Sequence, residues 1–170
     1  GDGSPPVLQT NSDEDGDKPI LFAHGNASET VAWISRLERI NRNKQIAVFL
    51  PKVDDVRRWR RNIEESNTRN SVQMYHYDMP DTSQNYINFH SPGVKVLTYQ
   101  SAKGLEFDIV VIPELQSFET NPFGLERFKN NMYVLASRAK NELYVTYSGK
   151  GEPAIINELP LDLIEDRRRP

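Results

Sequence analysis

Apolar positions come in short, regular groups along this chain, and their spacing predicts an ordered series of strands and helices. ILFAH, from Ile20, is an apolar run of strand length. Asn26 follows as a helix N-cap, with Glu29 placed to reach back over the first turn. Val31, Ile34, Leu37 and Ile40 then recur at helical spacing. QIAVFLP, from Gln45 to Pro51, is an unbroken apolar run ended by proline, the pattern of a strand buried on both faces. Val56, Trp59 and Ile63 mark one side of a second helix whose outer face carries Arg57, Arg58, Arg60 and Arg61. Within the polar, turn-rich stretch from Ser66 to Gly93, VQMYHY (Val72 to Tyr77) is the one strand candidate. VKVLTY (Val94 to Tyr99) and DIVVIP (Asp108 to Pro113) are two further strands. A helix is predicted from Phe123 to Ala139, with Leu125, Phe128, Met132, Leu135 and Ala139 as its apolar stripe. LYVTYS (Leu143 to Ser148) is the last strand, and EPAIINELPLDLIE closes the chain.

Strands alternating with helices, followed by continuous apolar strands, predict an α/β fold with a mainly parallel central sheet. Sheets of this kind bind ligands at the carboxyl ends of their strands, so the informative residues are expected there. The domain is expected over 19–166, after a flexible acidic tail or linker at 1–18 and before a basic tail at 167–170.

Composition narrows the function. With 37% hydrophobic residues among 170, the chain can bury one core. The absence of cysteine excludes a disulfide framework, and no apolar run reaches the roughly 18 residues that a membrane span needs. Together these point to a soluble, cytoplasmic protein. A net charge of −3 argues against a strongly basic nucleic-acid binder, though not against one wall of a nucleic-acid groove. His24, His76 and His90 are too far apart to give metal-ligand spacing, so no metal site is expected.

The chemistry concentrates after VKVLT, in Tyr99-Gln100-Ser101-Ala102-Lys103-Gly104-Leu105-Glu106-Phe107. Backbone amides at a Lys-Gly turn can hold phosphate, with Lys103 adding charge. A plain surface loop turned by Gly104 reads the same way. Glu106 is unsuited to phosphate, but could accept hydrogen bonds from a sugar hydroxyl or hold a cationic partner. Arg138, taken alone, suits a helix dipole or a salt bridge.

VLTYQSAKGLEFDIVVIPEL resembles motif V of the UvrD/Rep-like superfamily 1 helicases, T-x-H-x-A-K-G-L-E-F followed by an apolar strand. The register is unbroken through Thr98, Ala102, Lys103, Gly104, Leu105, Glu106 and Phe107, with Gln100 where the family has histidine. Tyr133-Val134 and Ser137-Arg138-Ala139, followed by a strand, resemble motif VI, Y-V-x-x-T-R-A. The resemblance is weaker at IAVFLPKVDDVRRW, where Pro51 and Val53 replace an arginine and an asparagine that contact DNA and only Arg57 keeps its place. The resemblance implies the second, C-terminal RecA-like domain of such a helicase, a three-layer fold. It implies that Thr98 and Gln100 face single-stranded DNA and that Glu106 bonds the ribose of ATP. It further implies that Lys103 and Gly104 shape the loop coupling nucleotide to DNA. Arg138 would be an arginine finger on the γ-phosphate. No G-x-x-x-x-G-K-[ST] occurs in the chain, so ATP and its Mg²⁺ would be held mainly by a P-loop domain elsewhere in the parent protein. The stretch from Ser66 to Gly93 is too short for the accessory domain that UvrD-like enzymes insert there. Two other readings compete: a degenerate helicase domain serving as a non-catalytic protein-interaction module, and a free-standing small nucleotide-binding protein.

Overall fold

A computed structural model describes residues 18–76, 79 and 88–168. The tail expected over 1–18 and the end of the 167–170 segment therefore fall almost entirely outside the described residues, as does Tyr77. Seven strands form one sheet: β1 (Ile20–His24), β2 (Gln45–Leu50), β3 (Gln73–Tyr75), β4 (Gly93–Thr98), β5 (Phe107–Ile112), β6 (Ala139–Ser148) and β7 (Glu165–Asp166). Their order is β3-β4-β2-β5-β6-β1-β7. Every pairing is parallel. Parallel sheets need both faces covered, which is why the strands read as continuous apolar runs rather than alternating ones.

The two faces can be read from β2. Ile46, Val48 and Leu50 pack with Val31, Ile34 and Leu37 of α1 (Ala27–Ile40) and with Val56, Trp59 and Ile63 of α2 (Val53–Glu64). Ala47 and Phe49 face the opposite way, towards Phe128, Met132 and Leu135 of α3 (Pro122–Ala136) and towards Ile155 and Ile156 of the closing segment. Helices, sheet and helix thus make the expected three layers.

Local chemistry fixes the helix ends. The Asn26 side chain accepts from the Glu29 amide at 2.9 Å, and the Glu29 carboxylate accepts from the Gly25 amide at 2.5 Å, one residue earlier than a standard capping box. Ile40, counted from sequence as part of the buried stripe, is 70% exposed at the last turn of α1. The α3 helix ends at Ala136 and not at Ala139, because Ser137 caps it and Ala139 joins the sheet as the first residue of β6. β6 accordingly starts four residues before the LYVTYS run that announced it. Arg167 and Arg168, expected as tail, are docked: the Arg167 amide donates to the Leu21 carbonyl at 2.9 Å, and Arg168 pairs with Glu152 and Asp166.

The turn after α2 is held by α1. Glu38, fully buried, accepts from the Arg69 and Asn70 amides at 2.9 Å each and from the Asn70 side chain at 3.1 Å. Ser35 donates to the Ser66 carbonyl at 2.6 Å, and Arg39 donates to the Ser66 and Asn67 carbonyls. These bonds set where the chain enters β3. Glu38→Ala removes the acceptor for two backbone amides of this turn and should cost about 1–3 kcal/mol of stability, read as a lower urea midpoint at unchanged slope.

Candidate functional site

From Thr98 to Phe107 the chain crosses the α3 face of the sheet from one edge to the other. Thr98 is the carboxyl end of β4 and Phe107 the amino end of β5. Ile46 of β2 is level with both Val94 and Ile109, so Thr98 and Phe107 lie about 20 Å apart along the strand direction. The crossing is made by a 3-10 turn, Tyr99–Ala102, then Lys103, Gly104, Leu105 and Glu106. Gly104 has φ of +78° and open space where a Cβ would stand. The Leu105 amide donates back to the Ala102 carbonyl at 3.1 Å. Tyr99 pins the crossing down: its ring stacks on Phe118 at 5.9 Å between centroids, and Phe118 packs edge-on to Phe128 of α3 at 4.9 Å. Burial pushes the Tyr99 phenol well above its ordinary range, and its hydroxyl has no partner among the described residues.

The amino edge gathers Glu106 and Arg138. The Phe107 amide donates to the Arg138 carbonyl at 2.8 Å, and Phe107 pairs with Ala139 across β5 and β6. The residue before each partner is thereby brought to the same corner: Glu106, exposed, and Arg138, half-buried. The Arg138 guanidinium donates to the Leu105 carbonyl at 3.5 Å and through Nε to the Val134 carbonyl at 3.4 Å. Both contacts are long, so the fork is only weakly engaged in capping the last turn of α3. Lys103 and Gly104, both exposed, precede Glu106 on the same loop. Tyr133 and Val134, 64% and 38% exposed, stand on the turn of α3 that leads to Arg138.

The carboxyl edge holds the other two expected residues, and they differ. Gln100 is exposed. Thr98 is 1% exposed, with its hydroxyl bonded to that of Ser101 at 2.7 Å. Thr98 therefore shapes the turn that presents Gln100, and a DNA contact by its hydroxyl requires this bond to open. The rule that ligand-facing residues follow strands fits Gln100 but not Glu106 or Arg138, which precede β5 and β6. The sequence reading missed Glu114, which follows β5 at the carboxyl edge in the left-handed region, φ 63°. Its carboxyl accepts from the Ser148 hydroxyl at 3.3 Å and from the Gln116 side chain, and burial raises its pKa. A glutamate after proline at a strand end carries no sequence mark of that backbone conformation.

Among the described residues, no group of three or more metal-ligating side chains occurs and no helix is long and apolar enough to cross a membrane. Residues 93–146, which include the whole crossing and Arg138, match the profile of the UvrD-like helicase C-terminal domain. Over these residues the chain is similar to the UvrD-like helicase C-terminal domain. A stretch of 55 residues is 40% identical to the RecBCD enzyme subunit RecB of Chlamydia pneumoniae. That stretch is 32% of this chain and only 5% of RecB. Among solved structures, the C-terminal domain of a possible DNA helicase from Lactobacillus plantarum WCFS1 superposes with a TM-score of 0.64 at 19% identity, over 90% of this chain and 87% of that one. The arterivirus nonstructural protein 10 helicase, in complex with DNA, does so with a TM-score of 0.54 at 10% identity, over 88% of this chain and 35% of that one. These two likenesses show the fold alone: an α/β, RecA-like architecture shared with those helicase domains.

The hydroxyl pair behind Gln100 gives a direct test. Thr98→Val leaves the Ser101 hydroxyl buried without its partner and should lower stability by about 1–3 kcal/mol. Adding Ser101→Ala should restore most of the loss. A double-mutant cycle by chemical denaturation measures that coupling, and additive losses would show that the bond carries no energy.

Proposed function

We propose that this chain is a UvrD-like helicase C-terminal domain, the second motor half of an ATP-dependent DNA helicase or translocase, moving 3′ to 5′. The pairing of Phe107 with Arg138 and Ala139 carries the proposal, because it brings a sugar-binding carboxylate and a guanidinium to one corner. ATP fits the residues present. Glu106 is exposed and would accept hydrogen bonds from the ribose hydroxyls. Among the described residues, Arg138 donates to the Val134 and Leu105 carbonyls over long distances, so its planar fork can turn to a γ-phosphate. Gly104 leaves open space on the same loop, and Lys103 adds positive charge beside it. A P-loop domain elsewhere in the parent protein would hold the phosphates and Mg²⁺. Bound ATP supplies the phosphoryl group whose loss drives the cycle. This chain orients the sugar and steadies the charge that moves to the phosphate oxygens.

The carboxyl edge would meet single-stranded DNA through Gln100, with the Thr98–Ser101 bond as the point where the turn can change shape. Because the same eight residues run from Gln100's turn to Glu106, opening and closing of the nucleotide cleft would shift the DNA-facing turn. An interaction module remains the second reading. It is favoured by Pro51 and Val53 at two DNA-contact positions of the family and by the engaged Thr98 hydroxyl.

Arg138 separates the two readings. In the full-length protein, Arg138→Ala should lower kcat by roughly 10³-fold or more, with a much smaller change in nucleotide affinity. Arg138→Lys should recover little, since a point charge does not reproduce the fork. Normal turnover in a well-folded Arg138→Ala protein would overturn the finger assignment and promote the interaction module. The 170-residue chain alone should hydrolyse no ATP above background and should bind single-stranded DNA weakly and with strong salt dependence. A tight complex at physiological salt would show a DNA path other than the one at Gln100.

A further inference from the structure

Lys95 stands in the middle of β4, between Val94 and Val96, and is 0% exposed. A lysine in such a place is costly to bury unless its charge has an assignment, and an apolar residue of similar size would stabilise the strand more. Its ammonium donates to the Ser91 carbonyl. Burial holds the Lys95 pKa down to about 8, and the charge of Asp108 works against that shift.

Asp108 occupies an unusual position of its own. The β5–β6 register shifts between Phe107 and Ile109: Asp108 alone stands opposite Lys140 and Asn141, so the extra residue of the bulge is on β6. Its carboxylate accepts from the Gln45 amide at 2.8 Å, at the first residue of β2. Gln45 is level with Gly93 in β4, two residues from Lys95, and the ammonium reaches back towards that same edge to find Ser91. The Gln45 side chain donates to the Phe89 carbonyl, and the Gly93 amide donates to the Lys44 carbonyl at 3.0 Å. Gln45 thus bridges Asp108 and the 88–93 backbone at the amino edge, and Lys95 reaches that same backbone at Ser91. Bulges re-aim the residues beside them, and here the shift lies between the residue that pairs with Ala139 and the regular ladder of β5.

We propose that Lys95 is a positioning residue: with Asp108 and Gln45 it forms a polar latch on the 88–93 backbone that holds β5 in place opposite the β6 bulge, and through it the approach of Glu106 to Arg138. The proposal rests on the nucleotide reading of those two residues. The latch also ties residues 88–93 to the bulge, so the segment entering β4 and the nucleotide corner move as one piece. Nothing in the latch touches the nucleotide, so it acts through the geometry of others.

Two measurements test the latch. In the 170-residue chain, Lys95→Met should speed hydrogen exchange at the Gln45 and Phe107 amides by roughly tenfold or more, while the Tyr144 amide, on the far side of β6, keeps its protection. In the full-length protein, the same change should lower kcat/KM for ATP by up to roughly 100-fold, with KM raised through Glu106 and kcat lowered through Arg138. Unchanged exchange at Gln45 and Phe107 would overturn the latch, whatever turnover does. Faster exchange with both kinetic constants intact would overturn the positioning role. Should Lys95→Met fail to fold, Asp108→Asn keeps an acceptor for the Gln45 amide and removes the facing charge. It should give the same kinetic loss in weaker form, and normal turnover there would equally sink the proposal. The exchange measurement needs no nucleotide, so failure of the latch is told apart from failure of the nucleotide reading, which normal turnover in Arg138→Ala would show.

Discussion

A single backbone hydrogen bond, from the Phe107 amide to the Arg138 carbonyl, joins the two parts of the chain on which the candidate site depends. It lies where β5 and β6 begin to pair, and it closes the gap between a loop leaving β4 and a helix ending at Ala136. Without it, Glu106 and Arg138 would be two polar residues on separate connections. With it, each precedes a paired strand residue by one position, and their spacing is set by sheet geometry rather than by side-chain flexibility. Central strands also sit at the most stable part of an α/β sheet, so the corner inherits the rigidity of the core behind it: Val110, Ile112, Leu143 and Val145 are all essentially inaccessible to solvent.

Much of this was legible from residue order. The alternation of apolar runs and amphipathic stripes places six of the seven strands and all three helices, because burial on both faces of a parallel sheet leaves a strong pattern. Two residues, Glu165 and Asp166, make a strand that no pattern could announce, since its pairing uses backbone groups and its side chains are exposed. The extent of α3 was misread for a similar reason. Leu135 and Ala139 are four apart and satisfy helical spacing, but Ala139 is buried through the sheet instead of through the helix. Periodicity reports that a residue is buried and not by what.

The candidate site divides along the same line. Glu106 and Arg138 were found by resemblance of whole motifs, since neither residue type nor spacing alone separates them from a surface loop and a capped helix end. The structure adds their common corner. Thr98 shows the opposite case: its place in the motif suggested an outward-facing contact, and the hydroxyl of Ser101, two buried polar groups meeting three residues apart, draws it inward. Lys95 went unmarked because it sits in a run otherwise apolar, and its complete burial is visible only in the structure.

The segment between Thr98 and Phe107 also has a mechanical character. Its first four residues are wound in a 3-10 turn, which advances only about 2 Å per residue. The next residues fold again, in a turn closed by the Leu105 amide on the Ala102 carbonyl, so the crossing holds two hydrogen-bonded turns in series. Such a segment is extensible: a shift of a few ångströms at one end can be met by opening one turn, while the stacked Tyr99 and Phe118 rings hold the other in place. The stiffness of the link is therefore set by two backbone hydrogen-bonded turns and one ring stack, and Gly104 is the point at which the second turn is made.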